Sequence, residues 1–512
     1  MKPASLSPPT PSMSSEVLVP LDDSSVRFSW RTFWKYTGPG WLMSLAYLDP
    51  GNLTADLEAG AQAGYQLIWV LLAAHILGLL LQVLAAKLAV VSGKALAENC
   101  RAHMPRPMVW ILWAMSEIAI IGADVQEVIG TSIALKVLFG IDYWIGTLIT
   151  AVDTFMIMGI HAWKGVRVSE AFIFTCVMTM MACFWANMIK VAPPAAQVFS
   201  GFIPSIKSYA VMQMVGLIGA VIMPHNLYLH SALLKSRKID RSSLTAIIQA
   251  NKYFTLDSVL ALVVSFLINI ALVASFSYGF FSETCAVQDM ACVLPSDRYK
   301  EPGTSCQSAM ISGYCQKIEL DGAGDALSGL LGGAAKYVFA FGLLAAGQAS
   351  TLTGTFSGQY VMEGFLDLKL KPWVRIVITR GIALGPAMIV ALLRERYSWL
   401  SDMNEQLNVL QSIQLPFALL PLLYFSAKHS VMGIFKVSSW LRLVVDISAL
   451  LIIAVNFFLL WNEIQPSGLP WSVNVLLVLV SVAYLYLCAE CLAGGRLVKK
   501  IRRLFGIESK DY

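Results

Sequence analysis

Charged residues are scarce in this sequence. Of its 512 residues only 13% are Asp, Glu, Lys or Arg, whereas 57% are hydrophobic and the mean hydropathy is +0.66. Soluble domains carry about a quarter charged residues, so this chain lacks the polar surface that a cytosolic enzyme, a nucleic-acid-binding protein or a disordered scaffold needs. The composition therefore predicts an integral, multi-pass membrane protein.

Signatures of nucleotide-driven and hydrolytic chemistry are also missing. The sequence has no Gly-x-x-x-x-Gly-Lys-Ser/Thr phosphate loop, too little hydrophilic sequence for a nucleotide domain, and no hydrolase motif. It does not start with a positively charged stretch followed by an apolar run, so we expect no cleaved signal peptide. We expect no enzyme activity, no bound nucleotide or nucleic acid, and no cofactor.

Twelve apolar segments are present, and about 20 residues suffice for one membrane crossing. They lie near residues 37–60, 67–92, 109–138, 143–162, 169–191, 209–235, 254–280, 328–360, 373–394, 405–426, 438–461 and 470–492. Lys and Arg concentrate in the loops after even-numbered segments and in the C-terminal tail. The positive-inside rule then places those loops and both termini in the cytosol. Both the plasma membrane and the membrane of an acidic organelle fit this topology.

Four of the nine cysteines lie in the longest hydrophilic loop, residues 281–325. They are Cys285, Cys292, Cys306 and Cys315. The topology puts this loop outside the cytosol, where clustered cysteines form disulfides. The sequence does not determine their pairing, and a cytosolic metal clip stays open as the alternative.

Two segments are interrupted at mid-length by a proline. Segment one reads Leu-Asp-Pro-Gly-Asn over residues 48–52, and segment six reads Ile-Met-Pro-His-Asn over 222–226. Proline removes an amide donor and opens a helix, and open backbone at membrane depth must line a cavity or be covered by protein. Paired breaks in the first helices of two five-segment halves are typical of transporters with inverted repeats.

We therefore predict an all-α membrane protein with about 12 transmembrane helices. Its predicted parts are a disordered cytosolic tail (1–30), a first five-helix repeat (31–200), a second repeat with the Cys-containing loop (201–430), two appended helices (431–495) and a basic cytosolic tail (496–512).

The broken segments carry a candidate cation site. A carboxylate inside a bilayer is costly unless something compensates its charge, so we interpret Asp49 as binding a cation or a proton. The thioether of Met223 is a soft donor that suits transition metals and contributes little to Mg²⁺ or Ca²⁺. With an oxygen from Asn52 and backbone carbonyls near Ala46 and Ala220, this set favours reversible binding of Fe²⁺ or Mn²⁺.

Titratable groups nearby suggest a proton route. His225 and His230 follow Met223 in segment six and are candidates for gating or proton handling. In segment three Glu117, Asp124 and Glu127 fall within an arc of about 80° and form an acidic stripe about 15 Å long. We interpret the stripe as a proton wire; a structural ion-pair network is the alternative.

Polar residues on two further segments could complete these sites. Arg380 in segment nine is the candidate partner of the acidic stripe. Asn408 and Gln411 lie on one face of segment ten, where their amides could coordinate the metal or only join helices.

These motifs resemble the Nramp family of proton-coupled divalent-metal transporters. The resemblance covers about residues 30–460. It includes Asp-Pro-Gly-Asn (49–52), Met-Pro-His (223–225), Glu-Ile-Ala-Ile-Ile-Gly-Ala-Asp-Val-Gln-Glu-Val-Ile-Gly (117–130), Gly-Gln-Ala-Ser-Thr-Leu-Thr-Gly-Thr (347–355) and 408–416. The sequence resembles eukaryotic members more than bacterial ones.

The resemblance implies a five-plus-five inverted-repeat fold of the amino-acid-transporter type. It implies metal binding by Asp49, Asn52, Met223 and the carbonyls of Ala46 and Ala220. It also implies a proton route through His230, the stripe and Arg380. Family members carry Fe²⁺ and Mn²⁺, often Co²⁺ and Cd²⁺, toward the cytosol.

We therefore expect a transporter whose substrates are divalent metal ions and protons, working as a monomer. A magnesium transporter of the same fold, a sodium-coupled amino-acid transporter, and a channel or metal-sensing receptor are the alternatives. Met223 disfavours the first, and Asp49 opposite Met223 disfavours the second.

Overall fold

The computed structural model describes residues 17–18, 28–295, 303–368, 372–393, 403–464 and 471–494. Most of the two predicted tails, residues 1–16, 19–27 and 496–512, lies outside these ranges. Across the described ranges the chain is overwhelmingly helical, as its composition predicts.

The first half consists of helices joined by short turns. Apolar residues dominate the long helices, as expected where protein or lipid covers most of the helix surface. In chain order they are α1 (Trp30–Tyr36), α2 (Pro39–Ser44), α3 (Pro50–Ala63), α4 (Ile68–Ser92), α5 (Leu96–His103), α6 (Arg106–Phe139), α7 (Tyr143–Lys164), α8 (Val166–Val191) and α9 (Ala195–Ser200).

The second half repeats the broken first helix and then continues to the two appended helices. Its helices are α10 (Val211–Val221), α11 (Pro224–Leu233), α12 (Leu244–Phe280), α13 (Glu283–Ala286), α14 (Leu320–Leu331), α15 (Gly333–Leu366), α16 (Pro372–Leu393), α17 (Met403–Gln414), α18 (Pro416–Ala427), α19 (His429–Met432), α20 (Ser439–Ile464) and α21 (Trp471–Ala493).

All twelve predicted segments are helical, and the breaks predicted in segments one and six separate α2 from α3 and α10 from α11. The start predicted for segment eight, near residue 328, was wrong. Gly332 has a φ of +90° and ends α14, so the long helix starts at Gly333. The predicted repeat boundaries stay predictions.

Eight helical runs within the described residues are long and apolar enough to cross a membrane. The first of them, Pro50–Ser92, contains parts of two predicted segments. Predicted segments four, eight and nine correspond to α7, α15 and α16, which are helices but do not belong to these eight runs. α15 is 34 residues long, but it carries the Gly-, Ser- and Thr-rich motif of residues 347–355.

The strands of the described residues form two small sheets. β1 (Val17–Leu18), part of the predicted tail, pairs in parallel with β2 (Arg237–Lys238). β3 (Ala291–Val293), β4 (Ser305–Gln307) and β5 (Ser312–Gln316) form an antiparallel sheet in the order β3-β5-β4.

The sheet of the long loop carries two disulfides. Cys285 pairs with Cys315, and Cys292 pairs with Cys306. This resolves the pairing that the sequence left open, and it favours disulfides over a metal clip because all four sulfur atoms are bonded in pairs.

Helix α3 lies at the centre of the packing. All 14 of its residues are buried, including the acidic Asp56 and Glu58. It packs against α12 and α10 and also contacts α6 and α17. Among the described helices, α6 and α15 form the most extensive contact, and these surroundings position the site described next.

Candidate metal site

The break in segment one follows from Pro50. After α2, a 3₁₀ turn (Leu45–Tyr47) leads to the start of α3 at Pro50. Because Pro50 has no amide hydrogen, the carbonyl of Ala46, four residues earlier, has no helical partner. Instead the Ala46 oxygen accepts a hydrogen bond from Nδ2 of Asn226 at 3.3 Å, and Nδ2 of Asn52 lies 3.5 Å away. A side chain of α11 therefore reaches the break in segment one.

Asp49 caps the N-terminus of α3. Its backbone is extended, and its Oδ1 accepts hydrogen bonds from the backbone N of Asn52 at 2.8 Å and from Nδ2 of Asn52 at 3.0 Å. This is the usual role of an Asp at a helix start, and it fixes the Asn52 side chain beside the carboxylate. The Oδ1 of Asn52 is buried and has no hydrogen-bond partner in the described part of the chain. That oxygen is available to a cation.

The break in segment six has the same origin. Pro224 begins α11 and has no amide hydrogen, so the carbonyl of Ala220 lacks its helical donor. Met223 lies between α10 and α11 with an extended backbone, and its side chain is only 1% exposed. Each proline therefore frees one of the two carbonyls that the sequence suggested as ligands.

Helix α17 contacts both broken segments. Nδ2 of Asn408 donates to the carbonyl of Gly51 at 3.1 Å. On α10, Gly219 lies so close to α17 that a Cβ there would be 2.1 Å from the Asn408 carbonyl oxygen. The structure therefore brings segment ten beside the two breaks.

The side-chain amides of Asn408 and Gln411 on α17 differ in which atoms lack a hydrogen-bond partner. The Oδ1 of Asn408 accepts a hydrogen bond from Nε2 of Gln126 at 2.8 Å, so it is occupied. Gln411 donates from Nε2 to Oε1 of Gln126 at 2.9 Å, and its own Oε1 is buried without a partner in the described chain. Gln411 is therefore better placed than Asn408 to offer an oxygen to a metal.

Gln126 joins these groups, and sequence reasoning missed it. Its amide bonds Asn408, Gln411 and the carbonyl of Asn404, and it packs directly against Gly51 of α3. It lies beside the acidic stripe on α6 without belonging to it. Because a neutral amide beside carboxylates does not stand out in a sequence, Gln126 was not predicted as a site residue. Its place in the family motif was the only indication of a role.

The acidic stripe lies against protein. Glu117 accepts a hydrogen bond from an indole N–H one turn earlier at 3.0 Å, and Glu127 accepts one from the hydroxyl of Thr351 on α15. A Cβ on Gly354 of α15 would lie 2.5 Å from the carboxylate of Asp124. In the motif of α15, Thr351 thus donates a hydrogen bond to Glu127. Gly354, which has no side chain, leaves the space that the Asp124 carboxylate occupies.

Of the three other residues predicted for the proton route, the side chains of the two histidines lie within the described residues and that of the arginine does not. Arg380 belongs to α16, which packs against α6, but its side chain lies outside the described residues, and so does its predicted ion pair. His225 and His230 are buried in α11. Nδ1 of His225 and both ring nitrogens of His230 have no hydrogen-bond partner in the described chain.

Comparison with known proteins supports one family. The family model described as natural resistance-associated macrophage protein-like matches residues 40–462. The chain is 44% identical over 495 residues to the metal transporter nramp1 homolog of Dictyostelium discoideum, covering 94% of this chain and 86% of the relative.

Solved structures agree with the fold. A mutant of the manganese transporter of Eremococcus coleocola matches 96% of this chain and 98% of its own, with a TM-score of 0.75 and 28% identity. The nucleobase-cation-symport-1 transporter Mhp1, in a closed conformation, matches 93% of this chain and 94% of its own with a TM-score of 0.52. At 13% identity, Mhp1 supports the fold alone.

These findings confirm the all-α transporter fold and the resemblance, including its closer match to a eukaryotic relative. The relatives are named as transporters and not as enzymes. The matched region contains both broken segments and α17. The chain therefore belongs to the Nramp family of membrane metal transporters.

Proposed function

We propose that this protein is a proton-coupled transporter that moves Fe²⁺, Mn²⁺ and related divalent transition metals (Co²⁺ and Cd²⁺ among them) toward the cytosol by alternating access. The observation that carries the proposal is the meeting of the two breaks. The freed carbonyl of Ala46 accepts a hydrogen bond from Asn226 of the other broken segment. Open backbone from both halves thus converges on one buried place, as a midplane substrate site requires.

The cargo is held by a mixed donor set. Asp49 supplies the charge, Asn52 a free amide oxygen, Met223 a thioether, and Ala46 and Ala220 backbone carbonyls. A single carboxylate among neutral donors binds a divalent ion reversibly, and the sulfur favours Mn²⁺ and Fe²⁺ over Ca²⁺ and Mg²⁺. Gln411 adds its free oxygen when the site closes.

Protons move through groups close to this set. An arriving dication favours the ionised form of Asp49, so the carboxylate gives up a proton as the metal binds. His230, whose ring nitrogens have no partner in the described chain, takes the proton. The stripe of Glu117, Asp124 and Glu127 then carries it along α6 toward the cytosol.

The orientation that we propose follows the loop charges, with both termini in the cytosol. The chain acts as a monomer in the plasma membrane or in the membrane of an acidic organelle. Its partners are the metal ion, protons and lipid.

Uptake into proteoliposomes tests this function. We expect Mn²⁺ and Fe²⁺ to accumulate inside vesicles of the purified full chain when the outside is made acidic. Accumulation should be lost in Asp49→Ala and kept in Asp142→Asn, a control carboxylate that is exposed in the loop before α7. Flux that is insensitive to the pH gradient would instead indicate a channel, and accumulation by Asp49→Ala would refute the assigned site.

A further inference from the structure

Asp56 is a buried carboxylate that no part of the proposed mechanism uses. It lies in α3, its side chain is fully buried, and neither of its carboxylate oxygens has a hydrogen-bond partner in the described chain. Asp257, another buried carboxylate, has partners: it accepts hydrogen bonds from the Thr37 hydroxyl and from the amide of Gly40. An isolated carboxylate in such surroundings is costly unless a proton or a cation neutralises it.

The position of Asp56 relates it to the candidate metal site. It comes seven residues after Asp49, so it lies about 10 Å further along α3 and within about 20° of the same face. Asn52 lies between them, three residues after Asp49 and four before Asp56, and such spacings make neighbours on a helix. The Oδ1 of Asn52 is also buried and without a partner in the described residues. Three oxygen-bearing side chains therefore form one file along α3.

We infer that Asp56 is a second cation-binding group, at which the transported metal pauses between the extracytosolic side and the Asp49 site. The inference rests on the proposed function for the cargo and for the orientation, in which α3 is the outer half of segment one. Asn52 contributes to both positions, because it stands between Asp49 and Asp56 along α3 and its Oδ1 has no partner in the described residues. The metal moves along the file by exchanging one carboxylate for the other.

The chemistry of this outer position differs from that of the inner one. Its protein donors are oxygen atoms only, and water completes the coordination of a partly hydrated ion. Such a site accepts Mg²⁺ and Ca²⁺ as readily as Mn²⁺, whereas the inner site has the thioether of Met223. Discrimination among divalent ions then occurs after the ion has passed Asp56.

Mn²⁺ binding to purified full-length variants, counted by electron paramagnetic resonance, tests the inference. We expect Asp49→Asn to keep one weakly bound Mn²⁺ per chain, displaced by excess Mg²⁺, and Asp49→Asn/Asp56→Asn to bind none. The matched control is Asp49→Asn/Glu58→Gln, which alters a carboxylate two positions further along α3 and should retain the ion. Mn²⁺ should raise the melting temperature of Asp49→Asn but not that of the Asp56 double variant.

Each outcome decides one question. If Asp49→Asn binds no Mn²⁺, or if the Asp56 double variant binds as much as Asp49→Asn, the outer site is refuted and Asp56 is held neutral by a proton. If the wild-type chain fails to transport Mn²⁺ in proteoliposomes, the proposed function fails, whatever Asp56 binds.

Discussion

The junction between α1 and α2 is held by a buried charge network. The carbonyl of Thr37 accepts hydrogen bonds from Arg167 at 2.9 Å and from Arg237 at 2.8 Å. Glu170 pairs with both guanidinium groups, at 2.7 Å to Arg237 and 3.0 Å to Arg167. The Arg237 side chain is fully buried. The first half of segment one is thereby tied to α8 and to the strand after α11.

Glu170→Gln should loosen this junction. Removing one partner of a buried ion pair costs about 3–5 kcal/mol, because the other charge stays buried and uncompensated. The half-exposed Arg167 adds little to this cost, since water screens it. We call the state described here, with α2 held in place, the closed state, and a state in which α2 has moved away the open state. We expect Arg237 to reach water in the open state. The substitution therefore raises the free energy of the closed state alone. About 3 kcal/mol corresponds to a shift on the order of a hundredfold toward the open state.

Labelling of a reporter cysteine measures this shift. Ser44 lies in α2 with no exposed surface, so Ser44→Cys reacts with N-ethylmaleimide only when α2 moves. In a background without the five free cysteines, we expect Glu170→Gln to speed labelling on the order of a hundredfold. Asp142→Asn breaks an exposed pair with Lys136, worth at most about 1 kcal/mol, and should change nothing. Equal labelling rates with and without Glu170→Gln would refute the reasoning.

Three further changes test other parts of the molecule. Met223→Leu keeps the side-chain volume but removes the sulfur, so Mn²⁺ uptake should become sensitive to excess Ca²⁺. Met180 is equally buried, and Met180→Leu should behave as wild type. Equal inhibition of Mn²⁺ uptake by Ca²⁺ in the two variants would exclude a ligand role for Met223. Gly354→Ala places a methyl group 2.5 Å from the Asp124 carboxylate, so uptake measured at two external pH values should lose its pH dependence; retained dependence argues against the stripe. Cys285→Ser opens a disulfide with a sequence separation of 30 residues, which should cost about 3–4 kcal/mol and lower the melting temperature; an unchanged melting curve contradicts this.

The features that the sequence predicts well are those set by local chemistry. Pro50 and Pro224 remove amide hydrogens wherever they stand in a helix, so both breaks could be placed without knowledge of the neighbouring helices. The same reasoning points to the carbonyls of Ala46 and Ala220. Long apolar runs likewise predict most of the helices within a few residues, because few other structures satisfy the backbone inside lipid; α12 is an exception, since it begins at Leu244, ten residues before the predicted start of segment seven.

The features that it missed depend on which helices meet. The partners of Cys285 and Cys292 follow from the register of a small sheet. Gln126 gains its role only because α6, α17 and α3 converge, and this convergence also occupies the oxygen of Asn408. Asp56 was overlooked because a carboxylate without partners is visible only once every neighbour is placed.

Buried polar side chains at two places in this protein have different consequences. Those at the α1–α2 junction, such as Glu170 and Asp257, have donors within the protein and hold a segment in place. Those on the broken segments and on α17, among them Asn52, His230 and Gln411, retain atoms without partners in the described chain. Unsatisfied buried groups are costly and rare in folded proteins, and a ligand that completes them stabilises the state to which it binds. Under the proposed function, cargo and protons therefore belong to the energetic balance of the fold, and we expect their binding and release to shift the balance between its states.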